Sequence, residues 1–161
     1  MTARAPQLEI PIRRPKDLPR WCFVRLVREP GTEIQPPERI RGPGDVRRLL
    51  ARRVQLLETE AFFVVCLGSQ SHLRAIEEVT RGILNSSLVH PREVYRTAIL
   101  AGAAGIIVAH NHPSGDPTPS ADDRAATRQL VDAGRLLDVP CFDHIILAGD
   151  RYTSFAEAGL L

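Results

Sequence analysis

Seven consecutive apolar residues, Ala61-Phe62-Phe63-Val64-Val65-Cys66-Leu67, leave this chain few folds to choose from. Successive side chains of a strand point to opposite faces, so a strand with no polar face must be covered on both sides. A second short run, Ile106 to Ala109, is also apolar and partly β-branched and reads as a buried strand. Helical patterns surround them. Asp45 offers an N-cap and Val46, Leu49, Leu50, Val54 and Leu57 recur at helical spacing, which predicts a helix over 46–57. Pro91 suits a first helical position, Glu93 its first turn, and Val94, Ala98, Ile99 and Ala101 an apolar side running to about Ala103. Further strands are expected at Trp21–Val27, Leu73–Val79, Cys141–Leu147 and Tyr152–Phe155, with an extended connection or short strand over Gly82–Val89. The order predicts an α/β or α+β sheet packed by helices.

At 161 residues the chain is expected to form one domain, burying about two thirds of its unfolded surface. Residues 1–20, with prolines at 6, 11, 15 and 19 and interspersed charges, read as a basic arm without a core, leaving 21–161 as the domain. The hydrophobic fraction of 43% and charged fraction of 25% are those of an ordinary globular protein. No apolar run approaches the ~20 residues of a membrane span and no secretory h-region opens the sequence, so a cytoplasmic protein without membrane contact is expected. Cys22, Cys66 and Cys141 form no Cys-x-x-Cys pair, and the last two read as small core residues. A net charge of +2 is too small to argue for nucleic acid. Arg13, Arg14, Lys16 and Arg20, and then Arg47, Arg48, Arg52 and Arg53, are clusters that can meet phosphate but ordinarily form solvated faces.

The chemistry concentrates after the second apolar run. His110 and His112 stand two apart at its end and therefore aim at one spot. Pro113, Gly115, Pro117 and Pro119 force a loop. Ser120 then offers an N-cap, Asp122 and Asp123 suit the positive first turn, and Ala125, Leu130, Val131, Leu136 and Leu137 carry a helix to about Leu137. The loop is long enough to bring that turn over the strand end, where Asp123 completes a three-ligand site. Two imidazoles and a carboxylate with a fourth position open is the pattern of a catalytic zinc site, although iron, cobalt or nickel suits the same donors. Ser120 and Asp123 are equally well explained as a helix-capping pair.

Taken together, His110-Asn111-His112-Pro113-Ser114-Gly115, Pro119-Ser120 and Asp123 resemble the signature of the RadC-like branch of the JAB/MPN metalloprotease superfamily. That signature is His-x-His, seven residues, Ser, two residues, Asp. His90-Pro91-Arg92-Glu93-Val94, Asp143-His144-Ile145-Ile146 and Tyr152-Thr153-Ser154-Phe155 are similar to the same proteins, and the resemblance covers about residues 21–161. It implies a JAB/MPN-like (cytidine-deaminase-like) mixed sheet flanked by helices, one zinc ion per chain held by His110, His112 and Asp123, and Ser120 hydrogen-bonding the oxyanion or the metal's water. Asn111 stands where the eukaryotic isopeptidases usually carry Ser or Thr, which bears on substrate identity.

Hydrolysis at such a site also needs a proton acceptor. Glu58, Glu60, Glu77, Glu78 and Glu93 all precede the motif. The resemblance selects Glu60, at the start of the strand after the first helix, with Glu93 as runner-up. Asp143 or His144 is placed to orient a ligand imidazole from behind or simply to form the polar edge of a buried strand. The expected function is zinc-dependent hydrolysis of peptide or isopeptide bonds in a protein or peptide substrate. The alternative is a nucleic-acid- or protein-binding module, associated with DNA repair, whose metal site is dormant.

Overall fold

The computed structural model describes residues 39–82 and 89–161. The expected N-terminal arm, the expected strand at Trp21–Val27 and most of the Gly82–Val89 connection lie outside the described residues. Five strands, β1 (Ala61–Leu67), β2 (Leu73–Arg81), β3 (Gly105–Asn111), β4 (Cys141–Ala148) and β5 (Arg151–Ser154), form one sheet in the order β2-β1-β3-β4-β5. Only β3 and β4 run parallel. Among the described residues, three helices flank the sheet: α1 (Pro43–Val54), α2 (Pro91–Leu100) and α3 (Ala121–Leu137). The fold is thus mixed α+β, consistent with a JAB/MPN-like architecture.

The expectation that β1 is covered on both faces holds residue by residue. Ala61, Phe63, Val65 and Leu67 join Ile107, Ala109, Ile145 and Leu147 beneath Val46, Leu49 and Leu50 of α1. Phe62, Val64 and Cys66 join Ile106 and Val108 on the other face, beneath Val94, Tyr95 and Ala98 of α2 and Leu130 of α3. All seven residues of β1 and all seven of β3 are buried. Cys66 and Cys141 are among the core residues, and burial, the main cause, pushes both thiols up to about 12, so neither is poised for thiolate chemistry.

α1 corrects the predicted 46–57. It starts three residues earlier because Pro43, whose φ is already helical, occupies the first position after Gly42. Asp45 is therefore inside the first turn, where its carboxylate accepts from the Arg41 N–H at 2.7 Å instead of acting as the N-cap. The predicted apolar faces of the other helices are also narrower than expected. Ile99, Leu136 and Leu137 are exposed, because the stripes that meet the sheet are Val94, Tyr95, Thr97 and Ala98 in α2 and Ala126, Thr127, Leu130 and Gly134 in α3. Gly134 lets α3 approach the chain beyond it, since a Cβ there would lie 2.7 Å from the Val139 carbonyl oxygen. Among the described residues, no helix is long and apolar enough to cross a membrane.

β4 carries one irregularity. Ile106 pairs with Cys141 but Ile107 pairs with Asp143, so Phe142 is an extra residue in that strand. Such a bulge exchanges the faces of every residue beyond it.

Candidate metal centre

His110 follows Ile106 and Val108 along the α2/α3 face of β3 and is 1% exposed, its ring stacked on Phe62 at 5.9 Å between centroids. His112 lies just beyond the strand. Its N–H donates to the Leu147 carbonyl at 2.8 Å, which carries the β3–β4 pairing one step further. The loop beyond it turns back at once, with Gly115 N–H on the His112 carbonyl at 3.1 Å and Gly115 at φ 80°, a conformation that favours glycine.

α3 then opens on a full capping box. The Asp123 N–H donates to Ser120 Oγ at 3.0 Å, and Asp123 Oδ2 accepts from the Ser120 N–H at 2.8 Å and from its hydroxyl at 2.7 Å. This pins the carboxylate at the helix N-terminus, over the carboxyl end of β3. Asp123 Oδ1 lies 3.1 Å from His110 Nε2, Oδ2 lies 3.6 Å from His112 Nε2, and the two Nε2 atoms are 2.9 Å apart. One ligand atom from each of the three residues falls within 4.8 Å of the others, so His110, His112 and Asp123 can hold a metal ion.

The donor chemistry fits a cation. His112 Nδ1 sits 2.7 Å from the Asp116 carbonyl oxygen, which can only accept, so Nδ1 carries a hydrogen and, in the neutral ring, Nε2 is the nitrogen left with a lone pair. A lone pair on Nε2 packed against a second imidazole and a carboxylate calls for positive charge between them. The hydrogen bond to Asp123, chiefly, raises the His112 pKa above its ordinary value against the effect of burial. Burial acts to raise the Asp123 carboxyl, but its contacts with His110 and His112 outweigh this and hold it well below the usual carboxylate range. A carboxylate kept ionised beside two imidazoles that turn nitrogen lone pairs toward it is a donor set that suits a divalent ion.

The other residues singled out from sequence fall at different distances from this centre. Phe62 pairs with His110 in the β1–β3 register, so extending it by two residues sets Glu60 across from His112, on the same face. Its charge contributes to the raised pKa of His112. Ser120 is at the rim, as the N-cap of α3. Glu93 is on α2, paired with Arg92 and Arg96. Of the two residues considered for the position behind the ligands, His144 is there, its Nε2 2.8 Å from His110 Nδ1. Asp143 is not: the bulge at Phe142 puts it in register with Ile107, on the α1 face. Its carboxylate accepts from the N–H groups of His144 and Ala156 and from the Ser154 hydroxyl, tying down the end of β5.

Two further residues belong here: Thr127, which the sequence did not single out, and Asn111, which it singled out only as bearing on substrate identity. Thr127, one helical turn after Asp123, touches His144 Nδ1 at 2.6 Å. The spacing of four was its only sequence signal. Asn111, between the histidines, accepts from the Ala61 N–H at 2.8 Å and donates to the Thr59 carbonyl at 3.1 Å, and so clamps the backbone on both sides of Glu60. The Asn111→Ala variant should lose about 1–3 kcal/mol of stability, because the Ala61 N–H loses its buried acceptor. A urea midpoint unchanged from the parent would show the clamp to be idle.

The model of a family described as RadC-like JAB domain matches residues 40–160. A UPF0758 protein of Symbiobacterium thermophilum is 49% identical over 119 residues, covering 74% of this chain and 51% of that protein. A UPF0758 protein of Moorella thermoacetica is 48% identical over 122 residues, covering 76% and 53%. One from Methanosarcina barkeri is 38% identical over 141 residues, covering 87% and 62%. The chain spans about half the length of the first two.

Proposed function

The chain belongs to the RadC-like JAB domain family, and on that premise we propose that it is a zinc-dependent hydrolase cleaving peptide or isopeptide bonds. The observation that carries this reading is the convergence of His110, His112 and Asp123 within 4.8 Å. When bound there, zinc lowers the pKa of a water to about 7 and polarises a carbonyl.

The chain's own residues divide the remaining work. Glu60, across from His112 and held through its neighbours by Asn111, takes a proton from the attacking water and returns it to the leaving amine. The single hydroxyl hydrogen of Ser120, which rests on Asp123 Oδ2, rotates off that carboxylate and is donated to the oxyanion as negative charge develops. A cavity of about 430 Å³, lined by Arg47, Val54, Leu57, Asn111, His112 and Leu147 among others, reaches His112 from the α1 side of the sheet.

The test is reconstitution. Metal-free protein loaded with zinc should cleave members of a panel of peptides and isopeptide-linked peptides, followed by mass spectrometry. Chelation should stop cleavage and added zinc should restore it. Cleavage that persists through chelation, or a loaded protein inert toward the entire panel, contradicts the proposal.

A further inference from the structure

The polar atoms behind His110 form a series that can be hydrogen-bonded in one direction only. It ends on the Asp123 carbonyl oxygen, which has no hydrogen to give, so the Thr127 hydroxyl donates to it at 2.6 Å. That uses the hydroxyl's single hydrogen. Toward His144 Nδ1, also 2.6 Å away, Thr127 Oγ1 is therefore the acceptor, and Nδ1 carries a hydrogen. The His144 ring is fully buried between Phe62 and Phe155, at centroid distances of 5.5 and 4.8 Å, and among the described residues its nitrogens face only His110 and Thr127. An unpaired charge is costly in such surroundings, so the ring holds one hydrogen and its Nε2 is bare. The bare Nε2 lies 2.8 Å from His110 Nδ1 and must accept from it. His110 thus carries a hydrogen on Nδ1, and in the neutral ring the Nε2 that faces His112 and Asp123 is left with a free lone pair.

We propose that Thr127 and His144 are positioning residues that select the Nδ1–H tautomer of His110 and so hold its Nε2 ready for a metal ion. The inference rests on the reading of His110 as a ligand. It gives Asp123 two functions on one helical turn: its carboxylate meets the ion, and its carbonyl sets the direction of the series that ends at the other ligand. Without the Thr127 hydroxyl, the His144 hydrogen is better placed on Nε2, where His110 Nδ1 can accept it. The hydrogen of His110 then moves to Nε2, where it blocks the metal.

The experiment uses the full chain, labelled with nitrogen-15 in histidine, as the parent and as Thr127→Val and Thr127→Ser. Long-range proton–nitrogen correlation spectra of the metal-free proteins, at mildly alkaline pH, report which ring nitrogen of His110 and His144 is protonated. Competition with a chromogenic chelator reports zinc affinity. The parent and Thr127→Ser should show Nδ1–H on both rings. Thr127→Val should move His110 toward Nε2–H and weaken zinc binding by about 10–100-fold, with Thr127→Ser staying within a few-fold of the parent. A parent spectrum with the hydrogen on His110 Nε2 overturns the proposal, and that result needs no variant to fold. So does a folded Thr127→Val that keeps both the parent tautomer and the parent affinity. Neither readout involves cleavage, so a failed hydrolysis assay and a failed tautomer assignment are distinguishable.

Discussion

Glu60→Gln should reduce kcat by about 10²–10⁴-fold, the usual contribution of a positioned proton acceptor, while the protein keeps its full complement of zinc. The side chain keeps its shape and loses only the ability to take a proton. Metal retention is expected because Glu60 is not one of the three residues whose ligand atoms converge, and because Asn111 grips its neighbours through their backbone, which the substitution leaves alone. Elemental analysis and steady-state kinetics on the same preparation check both halves. A variant as fast as the parent would move the role elsewhere. Glu93 would be a poor successor, since its carboxylate is paired with Arg92 and Arg96 on α2.

Asp123→Asn should weaken zinc binding by more than the roughly 100-fold that changes beyond the ligands themselves cost. Asparagine fits the same space, and its amide oxygen still accepts from the Ser120 N–H and hydroxyl, so the start of α3 survives. What disappears is the only negative charge among the three candidate ligands. Chelator competition measures the affinity, and circular dichroism shows whether the helix is retained. The metal-free proteins should also differ in their response to acid. The folded state holds the Asp123 carboxyl below its ordinary value, against burial, through His110 and His112. The unfolded chain therefore takes up that proton first as pH falls. The resulting stabilisation is complete above about pH 4 and shrinks progressively below it, and the Asn variant lacks it. An Asn variant that bound zinc as tightly as the parent would remove Asp123 from the ligand set.

Much of this site is legible along the chain because its parts are local. The i, i+2 spacing of His110 and His112 fixes their common direction on any strand, and the Ser120–Asp123 spacing produces a capping box on any helix. β1 and α3 are readable to the residue, one from an uninterrupted apolar run and the other from its cap. The start of α1 is not, because Gly42-Pro43 and Asp45 both qualify as openings, and only the observed cap geometry separates them.

The parts that join distant segments were decided by packing. Asn111 is noticed in the sequence only as a departure from the isopeptidase pattern, and its clamp exists only once β1 lies beside β3 and the backbone around Glu60 comes within its reach. Asp143 and His144 are adjacent, point to opposite faces, and cannot be ranked from the sequence, because the choice depends on the parity of β4. That parity is set by one extra residue, Phe142, opposite the β3 pairing. Residue spacing within an element thus determined which ligands share a direction, since backbone periodicity is a local property. Which residues stand behind them depended on strand register, which exists only once the strands have paired.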